Sequence, residues 1–379
     1  MSKLGRVLVA MSGGIDSTVA AVMLKEQGYE VIGMTMKTWD YAASGGSKKE
    51  TGCCSLDSIN DARAVAVAHG IHHFILDIRE EFGDYVIDDF VKEYLNGRTP
   101  NPCVLCNTHI KWSALLKRAN KLECEFIATG HYAHKRLEND RYVISRGVDT
   151  LKDQSYVLWG LSQENLARTM LPLGTFRKTE IKQMVHEWGY HDLANKPESY
   201  EICFIPDNDY RSFLKRRAPK ETELLDGGDF ISADGKFLGK HKGYPFYTIG
   251  QRKGLEKAFG KPMFVLSIDA KNNKVVLGEE DELDRRQMVV NNLNLQKYSE
   301  LPAEGIDSLT KIRYKDQGSM ANIRQQSDQI MVDFYHNVKA ITPGQSAVFY
   351  EGDDVIGGGH IFSSTALDSK LEKLEQASI

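Results

Sequence analysis

Over the first 130 positions, short apolar runs alternate with stretches in which apolar residues recur every three or four positions. Val7–Met11, Val31–Met36, Phe74–Ile78 and Phe126–Gly130 read as buried strands. Asp16–Gln27, with Val19, Met23 and Leu24 on one face, reads as a helix, as do Ser58–His69, Glu80–Asn96 and Ile110–Lys121. Asp57 or Ser58 would cap the second of these helices. Strands alternating with helices predict an α/β fold whose parallel sheet is covered on both faces, with ligands beyond the carboxyl ends of its strands.

Past Ile205 the pattern shortens. Asp226-Gly227-Gly228-Asp229 and Asp234-Gly235 are turn signals, and Phe264–Leu277 predicts a hairpin with Lys271-Asn272-Asn273 at its tip. Met288–Phe362 alternates in short segments, the pattern of a small all-β barrel or sandwich. The tail from Ala366 to Ile379 mixes Lys, Glu and Leu, as a short helix or frayed end would.

Composition changes this picture in two places. The net charge of −4 argues weakly against a polyanionic partner, but Asp209–Pro262 holds 12 Lys+Arg against 7 Asp+Glu. A basic middle on an acidic chain can hold a polyanion locally, and Tyr244, Phe246 and Tyr247 interleave with its cations as RNA binding would require. Six cysteines are too few for a disulfide scaffold, so metal, redox or sulfur chemistry is the expectation for those that cluster. Cys124 and the four tryptophans read as core. Cys53-Cys54 match no standard zinc spacing with His69, His72 or His73, and read as buried or helix-cap thiols. No apolar run approaches the roughly 18 residues needed to span a bilayer, and the amino-terminal residues lack a secretory pattern, so no membrane association and a cytoplasmic location are expected.

The strongest motif is Ser12-Gly13-Gly14-Ile15-Asp16-Ser17, between a strand and a helix. Two glycines let the backbone approach oxyanions, the helix start offers N–H groups and a positive dipole end, and the two serines add donors. Asp16 would repel phosphate unless it holds a metal or caps the helix. The Lys-Ser/Thr of a Walker A loop is absent, so γ-phosphate hydrolysis is not indicated. The motif resembles the pyrophosphatase loop of enzymes that cleave ATP between the α- and β-phosphates.

Two further stretches, Gly97-Arg98-Thr99-Pro100-Asn101-Pro102-Cys103-Val104-Leu105-Cys106-Asn107 and Glu201-Ile202-Cys203-Phe204-Ile205, sharpen the resemblance. With Ala128-Thr129-Gly130-His131-Tyr132, Lys152–Tyr156, Thr248–Leu255 and Thr342–Tyr350, the chain from Arg6 to Phe362 resembles the bacterial tRNA-specific 2-thiouridylases, the MnmA family. The resemblance implies an adenine nucleotide α-hydrolase-like catalytic domain at 1–208, a small basic central domain at 209–283, a C-terminal β-barrel at 284–365 and a tail at 366–379. It implies that ATP with Mg²⁺ adenylates the C2 oxygen of the wobble uridine of tRNA, and that sulfur then displaces AMP. Cys106 matches the catalytic nucleophile and Cys203 the persulfide carrier. Ala10, Met11, Ser12, Gly13, Gly14, Ile15, Asp16, Ser17, Met36 and Gly130 match nucleotide contacts. Asn101, Pro102 and Cys103 fall where the target base is read, and His131, Lys152, Asp153, Gln154, Arg313, Tyr314 and Gln345 match tRNA contacts.

The chain departs from many family members in carrying Cys103 where they carry Asp. Three thiols, Cys103, Cys106 and Cys203, could then ligate a [4Fe–4S] cluster whose fourth iron carries sulfide. Sulfur delivery is therefore open between a Cys203 persulfide and such a cluster, fed by a sulfur-donor protein or sulfide. A monomer is expected. The rival readings are a pyrophosphatase-loop synthetase acting on a small molecule and a non-catalytic RNA-binding iron–sulfur protein.

Overall fold

The computed structural model describes residues 4–39, 56–196 and 202–364. Cys53, Cys54, the segment around Gly46, Glu201 and the tail from Ala366 lie outside them. The chain divides into two compact units, the first made of Met1–Ile87, Pro102–Asp209 and Asp353–Val355, the second of Asp88–Asn101, Tyr210–Gly352 and Ile356–Ile379.

The first unit is built on a parallel sheet of β1 (Arg6–Ala10), β2 (Glu30–Lys37), β3 (His72–Asp77), β4 (Phe126–Ala128) and β7 (Thr169–Met170), in the order β3-β2-β1-β4-β7. Central β1 reads Val7-Leu8-Val9 with no exposure, as expected of a strand covered on both faces. Helix α1 (Ile15–Glu26) lies on one face with Val19, Ala20 and Val22 fully buried, and α2 (Leu56–Ala68) packs Ala62, Val65 and Ala66 inward. The antiparallel hairpin of β5 (Ala133–Glu138) and β6 (Arg141–Arg146) is tied by Arg136 and Ser145 to Asp354.

Two predicted helices come out differently. Glu80–Asn96 is not continuous: an α-turn at Arg79–Phe82 passes into a π-helical stretch at Gly83–Ile87, and a new α-helix runs from Asp88 to Leu95. Gly83, which weakens a helix interior, stands at the change of register. The helix expected at Ile110 begins earlier, at Pro102, and runs as Pro102–Leu105, a π-helical Cys106–Lys111 and an α-helical Trp112–Lys121. Pro102 at the first position suits a helix start.

The second unit holds two sheets. One is the four-stranded β10-β11-β8-β9, made of β8 (Gly228–Ser232), β9 (Phe237–His241), β10 (Phe264–Asp269) and β11 (Lys274–Gly278). The predicted hairpin is present, with Asp269 opposite Lys274 and Asn272 bonded to Asp269 at the tip. The other contains β12 (Asp284–Leu295), β13 (Ile306–Lys311), β14 (Ser319–Gln326), β15 (Gln329–Lys339), β16 (Ser346–Glu351) and β17 (Asp354–Ser363). Pairing of β12 with both β15 and β17 closes it into a barrel around Met288, Val290, Ile323, Val332, Phe349 and Ile361. The predicted RNA-facing aromatics are corrected here. Tyr244, Phe246 and Tyr247 are buried, so they are core and offer no face to a base.

Candidate functional site

The order β3-β2-β1-β4-β7 reverses between β1 and β4, so the crevice for a ligand opens after these two strands. Both predicted nucleotide segments fall there. After β1 the chain turns through Met11–Gly14 into α1, with Gly13 at φ +72°. A Cβ on Gly13 would stand 1.9 Å from the Ser58 carbonyl oxygen, so α2 sets how closely the loop is wrapped. The Ser17 hydroxyl accepts from the Ser12 amide at 3.0 Å, lies 3.2 Å from the Ser12 hydroxyl and bonds the Gly14 carbonyl at 3.2 Å. These serines shape the loop as well as lining it. After β4, Gly130 presses on the first turn of α1: a Cβ there would meet the Asp16 carbonyl carbon and the Ser17 nitrogen at 2.7 Å. Met36, half-buried near the end of β2, lies beside Leu76 of β3 in the sheet.

Asp16 neither caps α1 nor stands unneutralised. Gly14 is the cap residue, without a side-chain bond, and both Asp16 oxygens receive the Lys178 ammonium, at 2.6 and 2.8 Å. Tyr132 donates its hydroxyl to the same carboxylate at 2.6 Å. On the other flank, Lys196 reaches the Gly13 carbonyl at 3.3 Å, the Ser58 hydroxyl at 3.2 Å and Asp61 at 2.7 Å. Sequence reading missed Lys178, Lys196 and Tyr132's role, because a lone lysine far along the chain carries no local signal.

Among the described residues of this unit, the cysteines Cys103, Cys106, Cys124 and Cys203 are all reduced. Cys124 is core, as expected. Cys106 is buried at the start of the π-helical stretch, next to Asn107, whose amide donates to the Val157 carbonyl at 3.0 Å. Cys203 is half-buried and followed by Phe204, which packs edge-on against Phe82 and anchors the segment. Cys103 is exposed to solvent yet surrounded by protein on its other sides; that crowding raises its thiol above the ordinary value, against a smaller downward pull from Lys111. His131 receives the same two influences, but on an imidazole both act downward. Burial pushes it down to about 3 and Lys111 adds to this, so the ring is neutral, bonded to the Thr129 hydroxyl at 2.8 Å and tilted against Trp112. Among the described residues, no three His, Cys, Asp or Glu side chains converge as a metal site. As placed, Cys103, Cys106 and Cys203 do not form a cluster-ligand set.

The remaining candidates divide between the units. In the first, Asp153 accepts from the Gly147 and Ser155 amides and the Ser155 hydroxyl, and Gln154 exchanges bonds with the Tyr132 backbone, so both are committed to their own fold. Lys152 is half-buried beside them. In the second, Arg313 and Tyr314 are exposed on the turn after β13. Gln345 donates to the Thr99 and Pro100 carbonyls at 3.1 and 2.9 Å, holding the loop segment that leads to Asn101.

A parallel sheet with a glycine-rich loop at its switch point, opening on a helix start, defines a nucleotide-binding α/β protein. Family models agree: residues 5–207 match the tRNA methyl transferase HUP domain, 211–279 the tRNA methyl transferase PRC-barrel domain and 285–361 the aminomethyltransferase β-barrel domain. The chain belongs to the tRNA-specific 2-thiouridylase MnmA family. It is 66% identical to the Cytophaga hutchinsonii member over 97% of this chain and all of that one, and 64% identical to the Amoebophilus asiaticus member over 96% of each. The Salinibacter ruber member is 57% identical over 95% of each chain.

Proposed function

We propose that this protein thiolates tRNA: it adenylates the C2 oxygen of the wobble uridine with ATP-Mg²⁺ and replaces that oxygen with sulfur. The observation that carries the reading is the presence, in one α/β unit, of both an intact Ser12–Ser17 loop at the switch point and a buried reduced cysteine on a π-helical turn. The whole-chain identity to 2-thiouridylases supplies the substrate class. All three domain models carry a methyl- or aminomethyltransferase name, but such transfers need no loop for splitting a nucleotide, which favours the thiolation named for the whole-chain relatives.

The chemistry follows from what the uracil lacks. A carbonyl oxygen does not leave unaided. Bonding it to the α-phosphorus, with loss of the N3 proton and departure of pyrophosphate, turns it into the leaving group AMP. The terminal sulfur of a persulfide on Cys203 then bonds to C2 and AMP departs. The Cys106 thiolate attacks the Cys203 sulfur, the S–S bond breaks towards the base, and 2-thiouridine is left with a Cys106–Cys203 disulfide that a thiol reductant reopens. In this reading Ala10–Ser17, Met36 and Gly130 hold the nucleotide. Asn101, Pro102 and Cys103 read the base, and His131, Lys152–Gln154, Arg313, Tyr314 and Gln345 serve the tRNA, directly or by holding the backbone that does. The division at 1–208, 209–283 and 284–365 belongs to the same proposal, supported by the spans of the three family models. No helix among the described residues is long and apolar enough to cross a membrane, which fits a cytoplasmic enzyme.

The test is thiolation of unmodified tRNA by metal-free protein with ATP-Mg²⁺ and a persulfide donor, scored as 2-thiouridine by mass spectrometry. Product together with AMP supports the reading; AMP formed with a metabolite and no RNA would replace it with a small-molecule synthetase.

A further inference from the structure

A loop that splits ATP between the α- and β-phosphates must neutralise a departing pyrophosphate, yet Ser12–Ser17 contains no cation and does contain Asp16. The structure brings two lysines to it from more than 130 residues away. Lys178, the first residue of the helix Lys178–Glu187, is buried, with its backbone amide fixed by Asp149 at 2.9 Å and its ammonium on Asp16 under the Tyr132 hydroxyl. Lys196 touches the Gly13 carbonyl itself and is steadied by Asp61. Burying an ammonium costs desolvation that a half-exposed carboxylate repays only in part, so the pair's use for stability alone is poor.

We propose that Lys178, seconded by Lys196, is the pyrophosphate-binding cation of this enzyme, and that Asp16 and Tyr132 are the positioning groups that keep its ammonium aimed at the loop. The inference rests on the thiolation reading for its substrate and adds the residues that take the leaving group's charge. As the bond from the α-phosphorus to the bridging oxygen breaks, its electron pair departs on pyrophosphate, and negative charge grows there. An ammonium already desolvated and oriented can exchange a carboxylate oxygen for a phosphate oxygen without reorganising water, which is where such a group acts most strongly. Lys178 also cancels the repulsion that Asp16 would otherwise exert on the phosphates.

The experiment measures calorimetric affinities for ATP, inorganic pyrophosphate and AMP, with ATP–pyrophosphate exchange, in wild type, Lys178→Met, Lys178→Arg, Lys196→Met and the double variant Asp16→Asn/Lys178→Met. Lys178→Met is expected to weaken ATP and pyrophosphate about 30-fold or more, the worth of a charge-assisted bond, while AMP changes less than about twofold. Lys178→Arg should recover part of the loss, and Lys196→Met should cost about fivefold, since that ammonium is more exposed. The double variant removes the half-buried carboxylate's charge together with its partner, and so separates phosphate binding from folding; it should melt near the wild-type temperature and bind ATP and pyrophosphate weakly. Unchanged pyrophosphate affinity in either Lys178→Met background, or equal loss of AMP, overturns the assignment. Absence of 2-thiouridine from the wild-type enzyme would instead remove the thiolation reading and leave the pyrophosphate result standing.

Discussion

The two working ends of the α/β unit are built on opposite principles. At the loop, Asp16 is paired with Lys178 and Asp61 with Lys196, the hydroxyls bond one another, and Gly13 and Gly130 are pressed against neighbouring backbone. On the cysteine side, one thiol is exposed and one buried on a helix that leaves α register at Cys106, and a third, Cys203, is half-buried on a separate turn segment. Binding a polyphosphate rewards a rigid, prepaid cradle. Moving a sulfur atom requires thiols that are brought together in turn, and a π-helical turn, common at functional sites, is a natural place for one.

The comparison breaks most sharply in the cysteines. Cys106→Ser and Cys203→Ser should each lower 2-thiouridine formation about 1,000-fold or more while ATP affinity stays within about twofold. If either variant lost ATP binding as well, the two ends would not be separable. Gly13→Ala should do the converse. Its Cβ has no room, and its φ of +72° disfavours any side chain, so ATP affinity should fall about 100-fold. Titration of the variant with ATP checks this; affinity within about threefold of wild type would mean the loop is softer than it looks.

These contrasts also mark what the sequence could disclose. The loop was legible because its six residues act through their own backbone, next to a strand and a helix start that hydrophobic pattern reveals. Cys106 and Cys203 were legible only through family resemblance. The Asp16–Lys178–Tyr132 group was not, since Tyr132 and Lys178 each lie more than 110 residues from Asp16 and none is unusual locally. The break at Gly83 was hidden because a π-helical stretch keeps an apolar face that periodicity reads as one α-helix. Tyr244, Phe246 and Tyr247 misled for a simpler reason: interleaved cations and aromatics look alike whether the rings face solvent or core, and here Lys215 lies over the buried Phe246 ring.

That correction makes the basic region of the second unit a test on a smaller scale. Lys240, Lys242 and Lys261 are each paired with a carboxylate, Asp229, Glu256 and Glu279, whereas Arg252 and Lys253 are exposed beside the Gln251 turn. If phosphate contacts hold tRNA, Arg252→Ala and Lys253→Ala should each weaken binding about fivefold and flatten its salt dependence, while Lys242→Ala changes it less than about twofold. Equal effects at all three positions would show that the ion pairs open on RNA binding.

The smallest effect is expected at Cys103, the residue by which this chain departs from the family's usual Asp. Its surroundings hold the thiol protonated, so it is a poor nucleophile and a poor metal ligand at neutral pH despite its exposure. A thiol whose folded-state value is raised adds stability below the ordinary value, and that contribution is lost as pH climbs through the folded one. Serine keeps a small polar group where Cys103 meets the base, so Cys103→Ser should keep metal-free thiolation within about twofold, the outcome that separates it from Cys106 and Cys203. Iodoacetamide labelling of Cys103, followed by peptide mass spectrometry, should show a pH midpoint above 9.0, and Lys111→Ala should move the midpoint higher still by removing the one cation that favours the thiolate. A midpoint near neutrality, with activity lost in the serine variant, would place Cys103 with the reacting thiols and reopen cluster-bound sulfide as the sulfur source.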